Sequence, residues 1–318
     1  MSFSFELLPA CWFLVGPTAT GKSAAALVVA EQLGADILAL DSMTLYRGME
    51  IGTAKPSEID RARVPHHLLD LLDPWEEYSL ADYLAAAESA VRQVLSRGRV
   101  PLFVGGAGLY LRGLLRGMFE GPAANWDLRR ELEAFAKRNG NEALHARLSA
   151  VDPTLAAKLP PADVRRIIRG LEVFEATGRP LSEQQQQGPR PIDERPAVVP
   201  WLNPPRERLY ARIDQRVDEM FAAGLVDEVR STATRPRGLG RTARQALGYR
   251  EILDAIEAGA SPESARELIK TRTRQFSKRQ CTWFRNLEEC RPMELTGNET
   301  AAEVARRYLE IRSVDRAE

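Results

Sequence analysis

The chain has 318 residues, 44% of them hydrophobic, enough to bury one large core or two modest ones. Its 44 Lys and Arg balance 44 Asp and Glu, so no global charge draws it to nucleic acid or a membrane surface, and any basic face has to be local. The three cysteines, Cys11, Cys281 and Cys290, have neither CxxC spacing nor histidines at ligand spacing, which argues against a disulfide framework or a zinc site.

In chain order, the opening MSFSFELLPACWFLVG lacks the basic start and small-residue cleavage site of a secretory signal. No apolar run reaches the roughly 20 residues that span a bilayer, so a soluble, cytoplasmic protein without membrane partners is expected. WFLV at 12–15 predicts a buried strand running into GPTATGKS, and AAALVVAEQL predicts a helix that stops at Gly34. DILAL predicts a second strand closing on Asp41, and VPLFV at 100–104 a further one closing on Gly105 and Gly106. Such alternation implies a parallel sheet covered by helices, with ligands beyond the carboxyl ends of its strands. Asp41 and Gly105 are therefore expected on one rim with the glycine loop. Residues 121–200 are charged and helix-patterned; in DVRRIIRGLEVFEATGRP the apolar Val164, Ile167, Ile168, Leu171 and Phe174 recur at helical spacing, with Arg165, Arg166 and Arg169 mainly elsewhere. The run Gln184–Gln187 and GPRPIDERP predict a flexible connection, and RPAVVPWLN at 195–203 a return strand. RERLYARIDQRVDEMFAAG predicts a helix ending at Gly224, and SPESARELIKTRTRQFSKRQCTWFRN another, capped by Ser261 with Pro262 and Glu263 in its first turn. Between 235 and 285, 12 Lys or Arg face 5 Asp or Glu, a local excess that the totals conceal. Residues 287–318 carry no usable signal.

GxxxxGKS, Gly16 to Ser23, is a phosphate-binding loop: backbone N–H groups surround an anion, Lys22 adds a point charge, and the Ser23 hydroxyl suits magnesium. The expected fold is thus a P-loop NTPase-like α/β core, a parallel sheet flanked by helices, formed by 1–120 with 201–318 and interrupted by an all-helical insertion at 121–200. An ATPase would add an acid after a later strand, whereas VPLFVGGAG ends in glycines. Asp41 is the remaining acid at the rim, and by position alone it could hold magnesium or accept a proton. His66 and His67 are adjacent, so their side chains diverge and a shared metal is not expected.

Seven segments, GPTATGKS, DSMTLYRGMEIGTAKP, VPHHLLDLLDP, VGGAGLYLRGLL, RRIIRGLEVFEATGRPLS, TARQALGYREI and KRQCTWFRN, stand in order between about residues 12 and 286 and resemble the tRNA dimethylallyltransferase family. The resemblance implies transfer of a dimethylallyl group from dimethylallyl diphosphate to the exocyclic amine of the adenosine 3′ of the anticodon, in tRNAs reading codons that begin with U. The loop would then hold a departing diphosphate, whose charge must be neutralised as positive charge develops on the allylic carbon. It further implies that Asp41 takes the proton of the attacking amine, that Lys22 and Arg212 are catalytic, and that Gly16, Pro17, Thr18, Ala19, Thr20, Gly21, Lys22, Ser23 and Arg244 bind the diphosphate, with Mg2+ at Ser23. Contacts to tRNA are implied for Asp41, Ser42, Met43, Thr44 and Ala107. Arg129, Arg165, Arg166, Ile167 and Arg169 are implied on the anticodon stem-loop, and Lys270, Arg272, Arg274, Lys278 and Arg279 on phosphates. Trp283 and Phe284 could stack on a base or anchor the last helix. Two departures stand out: the family usually has Gln at Thr44 and Thr at Ala107, and the alanine lacks the hydroxyl that would help position magnesium or diphosphate. A monomer is expected. The alternatives are prenyl transfer to free AMP, an ATP-dependent small-molecule kinase, or a binding module with a vestigial loop.

Overall fold

The computed structural model describes residues 3–196 and 198–314; the rest of the expected 1–120 and 201–318 spans, and Ala197 in the expected return strand, lie outside the described residues. The chain divides into two compact units, one of Met1–Arg116 with Pro189–Glu318 and the other Gly117–Gly188.

The first unit begins with β1 (Trp12–Val15), buried at all four residues, then α1 (Lys22–Leu33) and β2 (Ala35–Leu40), buried at all six. Strands that are apolar on both faces can only sit between helical layers, which is the environment of a central parallel sheet. Helix α1 ends because Gly34 adopts a left-handed φ of 61° and donates its N–H to Ala30. Next come α2 (Glu58–Arg63), the two-residue β3 (His66–His67), α3 (Leu80–Ser96), β4 (Val100–Gly105) and α4 (Gly108–Arg116). Helix α3 opens with a capping box between Ser79 and Asp82 and buries Tyr83, whose hydroxyl donates 2.9 Å to the Ala39 carbonyl of β2.

The second unit consists of α5 (Trp126–Asn139), α6 (Asn141–Val151), α7 (Pro153–Ala156), α8 (Val164–Thr177) and α9 (Leu181–Gln184). Leu132, Leu144, Leu148, Ile167 and Ile168 form its core. Buried Glu172 is held by Arg129, at 2.8 and 2.7 Å, by Arg169, and by the Asn125 N–H at 2.7 Å. A buried carboxylate needs this degree of pairing.

The first unit resumes with β5 (Val199–Asn203), α10 (Arg206–Ala222), α11 (Leu225–Ala233), α12 (Tyr249–Glu257), α13 (Arg266–Arg285), β6 (Cys290–Glu294) and α14 (Ala301–Val314). The helical unit thus stops before the expected residue 200, because Arg190 already stacks 3.8 Å over the Phe5 ring of the first unit. The long helix expected from Ser261 is split: Pro262–Ala265 forms a 3-10 turn, and Ser261 gives its hydroxyl to Glu263 instead of capping the backbone. Strand β6 and helix α14, unsignalled in the sequence, complete the sheet and cover α1; the Tyr308 hydroxyl reaches the Phe13 carbonyl at 2.9 Å. β6 is an edge strand containing Pro292, and only Met293 of it is buried, so it shows no apolar run.

The described strands form one parallel sheet in the order β3-β2-β4-β1-β5-β6. Val15 and Leu40 both pair in register with Gly105, so β1, β2 and β4 end side by side. A Cβ on Gly105 would lie 2.0 Å from the Leu40 carbonyl oxygen. Gly105→Ala is expected to destabilise the protein by about 1–3 kcal/mol or more, read as a fall in thermal midpoint; an unchanged midpoint would show that the strand ends are free to part.

Candidate active site

The rim formed by these three strand ends carries the candidate site. Gly16 follows β1 and donates its N–H to the Gly105 carbonyl at 3.2 Å, while Gly106 and Ala107 both donate to the Leu40 carbonyl at 3.1 Å. The loop after β1 is shaped by Ala19 at φ 64° and Gly21 at φ 84°, and the buried Thr20 hydroxyl donates 3.0 Å to the Pro17 carbonyl. Helix α1 starts at Lys22, so its first N–H groups lack intrahelical acceptors and face the loop's mouth with positive polarity.

Lys22 is half-buried and donates 3.1 Å to the Pro17 carbonyl. Burial, helped by the charge of Arg216 and opposed by Asp41, pushes its ammonium down from 10.5 to about 8. Arg216 is likewise lowered, chiefly by burial, with Asp41 opposing. Asp41 is half-buried just past β2 and accepts the Met43 N–H at 2.8 Å. Arg212 and Arg216 are one helical turn apart on α10, and Arg212 Nη1 lies 3.9 Å from the place a Gly21 Cβ would occupy. The arrangement sets three cations and one carboxylate around a cradle that can take an anion, and burial lowers two of the cations, Lys22 and Arg216.

Ser42 and Met43 are half-buried beside Asp41; Thr44 is buried, and among the described residues its hydroxyl has no hydrogen-bond partner. Past them, Glu228 of α11 accepts the N–H groups of Glu50, Ile51 and Gly52 at 2.9, 2.7 and 2.9 Å, fixing the loop that follows. Ala107 is half-buried at the end of the β4 turn. Arg244 pairs with Glu257 at 2.8 Å and Asp254 at 3.5 Å on α12. On α13, Lys270 holds Asp218 at 2.9 Å, and Arg274 Nη1 lies 2.7 Å from both oxygens of Asp214. Arg272 pairs with Glu251 at 2.6 Å, whereas Lys278 and Arg279 are exposed. Phe284 is buried in a stack with Trp201, and Trp283 is half-exposed against Gly108. In the helical unit Arg129 and Arg169 clamp Glu172, Arg166 pairs with Asp163 at 2.6 Å, Ile167 is core, and Arg165 is exposed. His67 bonds Asp36 at 2.9 Å and His66 the Val64 carbonyl at 2.7 Å.

Two residues at the rim went unread in the sequence. Arg216 could have been found from Arg212 by helical spacing in ARIDQR. Gln280 lies in KRQCTWFRN, and no spacing rule marks it.

The Ser23 hydroxyl, exposed in the first turn of α1, and the Asp41 carboxylate are oxygen donors of the kind a hard cation takes. Among the described residues no group of three or more His, Cys, Asp or Glu is placed to hold a metal. The Ser23 hydroxyl suits a magnesium ion that keeps most of its water, and the Asp41 carboxylate could take such an ion or a proton. No described helix is long and apolar enough to cross a membrane.

If the cradle holds an anion through charged Lys22, the contribution of Lys22 to pyrophosphate binding should be lost as pH rises through about 8. Calorimetry with inorganic pyrophosphate should show the parent's advantage over Lys22→Met shrinking roughly tenfold between about pH 7 and about pH 9.5, a ratio in which the ligand's own titration cancels. A parent-to-variant ratio that does not change with pH would remove Lys22 from the anion contact.

The IPP transferase family model matches residues 44–287, and the isopentenyl transferase model residues 9–64. A tRNA dimethylallyltransferase of Rhodopirellula baltica is 45% identical over 299 residues, covering 92% of this chain and 90% of that protein. One of Roseiflexus castenholzii is 47% identical over 275 residues, 86% and 89% of the two chains. Among solved structures, a full-length tRNA isopentenylpyrophosphate transferase of Bacillus halodurans aligns with a TM-score of 0.69 at 35% identity, over 96% of this chain and 97% of that one. A eukaryotic dimethylallyltransferase acting on tRNA aligns at 0.76 with 25% identity, over 96% and 78%.

Proposed function

The chain belongs to the IPP transferase family of tRNA dimethylallyltransferases, and from that premise we propose how its residues divide the work of prenyl transfer. The substrates are tRNA and dimethylallyl diphosphate. The acceptor is the exocyclic amine of the adenosine 3′ of the anticodon, in tRNAs reading codons that begin with U. The observation that carries the assignment of roles is that Val15 and Leu40 end in register on Gly105, so the loop bearing Lys22 and the residue Asp41 leave one rim, where β4 ends in glycines instead of a second acid.

The first N–H groups of α1, Lys22, Arg212 and Arg216 bind the diphosphate and stabilise the charge that builds on the oxygen released from the allylic carbon. The carbon–oxygen bond of the allylic diphosphate breaks, its electron pair leaving with the diphosphate, as the adenine nitrogen forms the new bond to the allylic carbon. Asp41 accepts a hydrogen bond from the amine and takes its proton, which aims a poor nucleophile along the line of the departing group. The Ser23 hydroxyl would hold a magnesium ion, which would supply further charge neutralisation. Anticodon-loop bases are already single-stranded, so drawing one into the rim costs only about a few kcal/mol. Ser42 and Met43, half-buried next to Asp41, are placed to meet that nucleotide, and the buried Thr44 hydroxyl would reach it only if this segment shifts.

The cationic groups fall into two sets. Lys278, Arg279 and Arg165 are exposed and suited to phosphate contacts. Lys270, Arg274, Arg129, Arg169 and Arg244 already hold acids, and would reach RNA or diphosphate only by releasing them. The protein acts as a cytoplasmic monomer in this proposal.

Asp41→Asn should fold normally, bind tRNA as the parent does, and lose about 10²-fold or more in turnover; near-normal turnover would remove Asp41 from the base role. Lys278→Glu with Arg279→Glu should weaken tRNA binding and lower the slope of log affinity against log salt by about 2, and an unchanged salt titration would dismiss that surface. Incubation of labelled dimethylallyl diphosphate with unmodified tRNA and, separately, with AMP tests the whole reading: label is expected in the RNA, and label in AMP alone would replace it with the free-nucleotide reaction.

A further inference from the structure

Helix α13 is strongly polar, yet it buries one stripe containing Ser277, Gln280 and Phe284 at helical spacing. Two of these are small or apolar, as such a stripe requires. Gln280 is neither: only 4% exposed, it brings an amide into a place where an unmade hydrogen bond is costly. Both ends of that amide are used. Oε1 accepts the Thr18 N–H of the phosphate loop at 3.0 Å, and Nε2 donates to the Gly106 carbonyl at 2.9 Å.

The backbone is cut away to admit it. A Cβ on Gly106 would stand 2.2 Å from Gln280 Nε2 and 3.0 Å from the Gly16 carbonyl, so only glycine lets the carboxamide approach. The Gly106 peptide carries the link onward, because its N–H donates to the Leu40 carbonyl and Leu40 immediately precedes Asp41. One side chain therefore joins the loop of the anion cradle to the strand end that carries the carboxylate. Since the Thr18 N–H is turned to Gln280, the donors left for a diphosphate are those nearer the start of α1.

We propose that Gln280 is a positioning residue for prenyl transfer, a carboxamide clamp that holds the diphosphate loop in line with Asp41. It touches neither substrate; it sets the distance between the departing group and the proton acceptor, a term to which in-line displacement is steep, since a misplacement of about 1 Å can cost about 10²-fold. The inference rests on the assignment of the loop to diphosphate and of Asp41 to the amine. Glutamate at this place would keep the acceptor for Thr18, lose the donor for Gly106, and set a negative charge under an anion site. Methionine matches glutamine in shape and removes both bonds.

The experiment compares the parent protein with Gln280→Met and Gln280→Glu in steady-state kinetics on unmodified tRNA and dimethylallyl diphosphate, with thermal midpoints and amide exchange at Thr18 alongside. The expected result is a fall in kcat of roughly 10- to 100-fold in both variants, with KM for tRNA within about twofold of the parent. The Thr18 amide should exchange slowly in the parent and fast in Gln280→Met. Should one variant fail to fold, the other carries the kinetic comparison. A kcat within about twofold of the parent in a folded variant, or a Thr18 amide equally protected without the carboxamide, overturns the proposal. A parent protein that does not label tRNA at all would instead overturn the functional reading, while the Thr18 exchange would still report on the clamp.

Discussion

Three strand ends meet at Gly105, and the missing side chain there is the constraint on which the site depends. The Leu40 carbonyl fills the space a Cβ would take, and it accepts both the Gly106 and Ala107 N–H groups. On the other side the Gly105 carbonyl accepts the Gly16 N–H. The start of the phosphate loop and the residue before Asp41 are thus placed by backbone bonds at the strand ends, an anchoring that long surface side chains would not supply.

Charge is distributed by the same economy. The chain is neutral, and many arginines that look available in sequence hold carboxylates: Arg129 and Arg169 hold Glu172, Arg274 holds Asp214, and Arg272 holds Glu251. Lys22 and Arg216 differ in kind. Burial lowers both, and only Asp41 among the nearest charges helps Lys22 stay ionised. A site whose cations are held together against desolvation gains most when an anion arrives, because the ligand supplies the counter-charge the fold withholds.

The segment after Asp41 is ordered from outside the sheet. Glu228 gathers three successive backbone N–H groups at residues 50–52 and also accepts the Tyr249 hydroxyl at 2.8 Å. Lys55, its side chain almost wholly buried, ties the Tyr46 carbonyl at 2.6 Å to Glu50 and Asp70. The segment, including the buried Thr44 hydroxyl, is thereby held in place from outside the sheet.

The sequence by itself determined the local parts: the phosphate loop, the strands before and after it, the glycine stop of α1 and the amphipathic helices, since each follows from nearest-neighbour chemistry and a fixed period. It also placed Asp41 and Gly105 on one rim, because parallel strands must end on the same side. The tertiary structure alone decided which charges are free. Lys270 and Lys278 look alike in sequence, yet one faces Asp218 across a helix pair and the other faces solvent. It decided too that β6, polar and proline-bearing, joins the sheet, and that Gln280 meets Thr18 across 262 residues of chain. Those partners are set by packing between distant segments, and no window of sequence contains both halves of the contact.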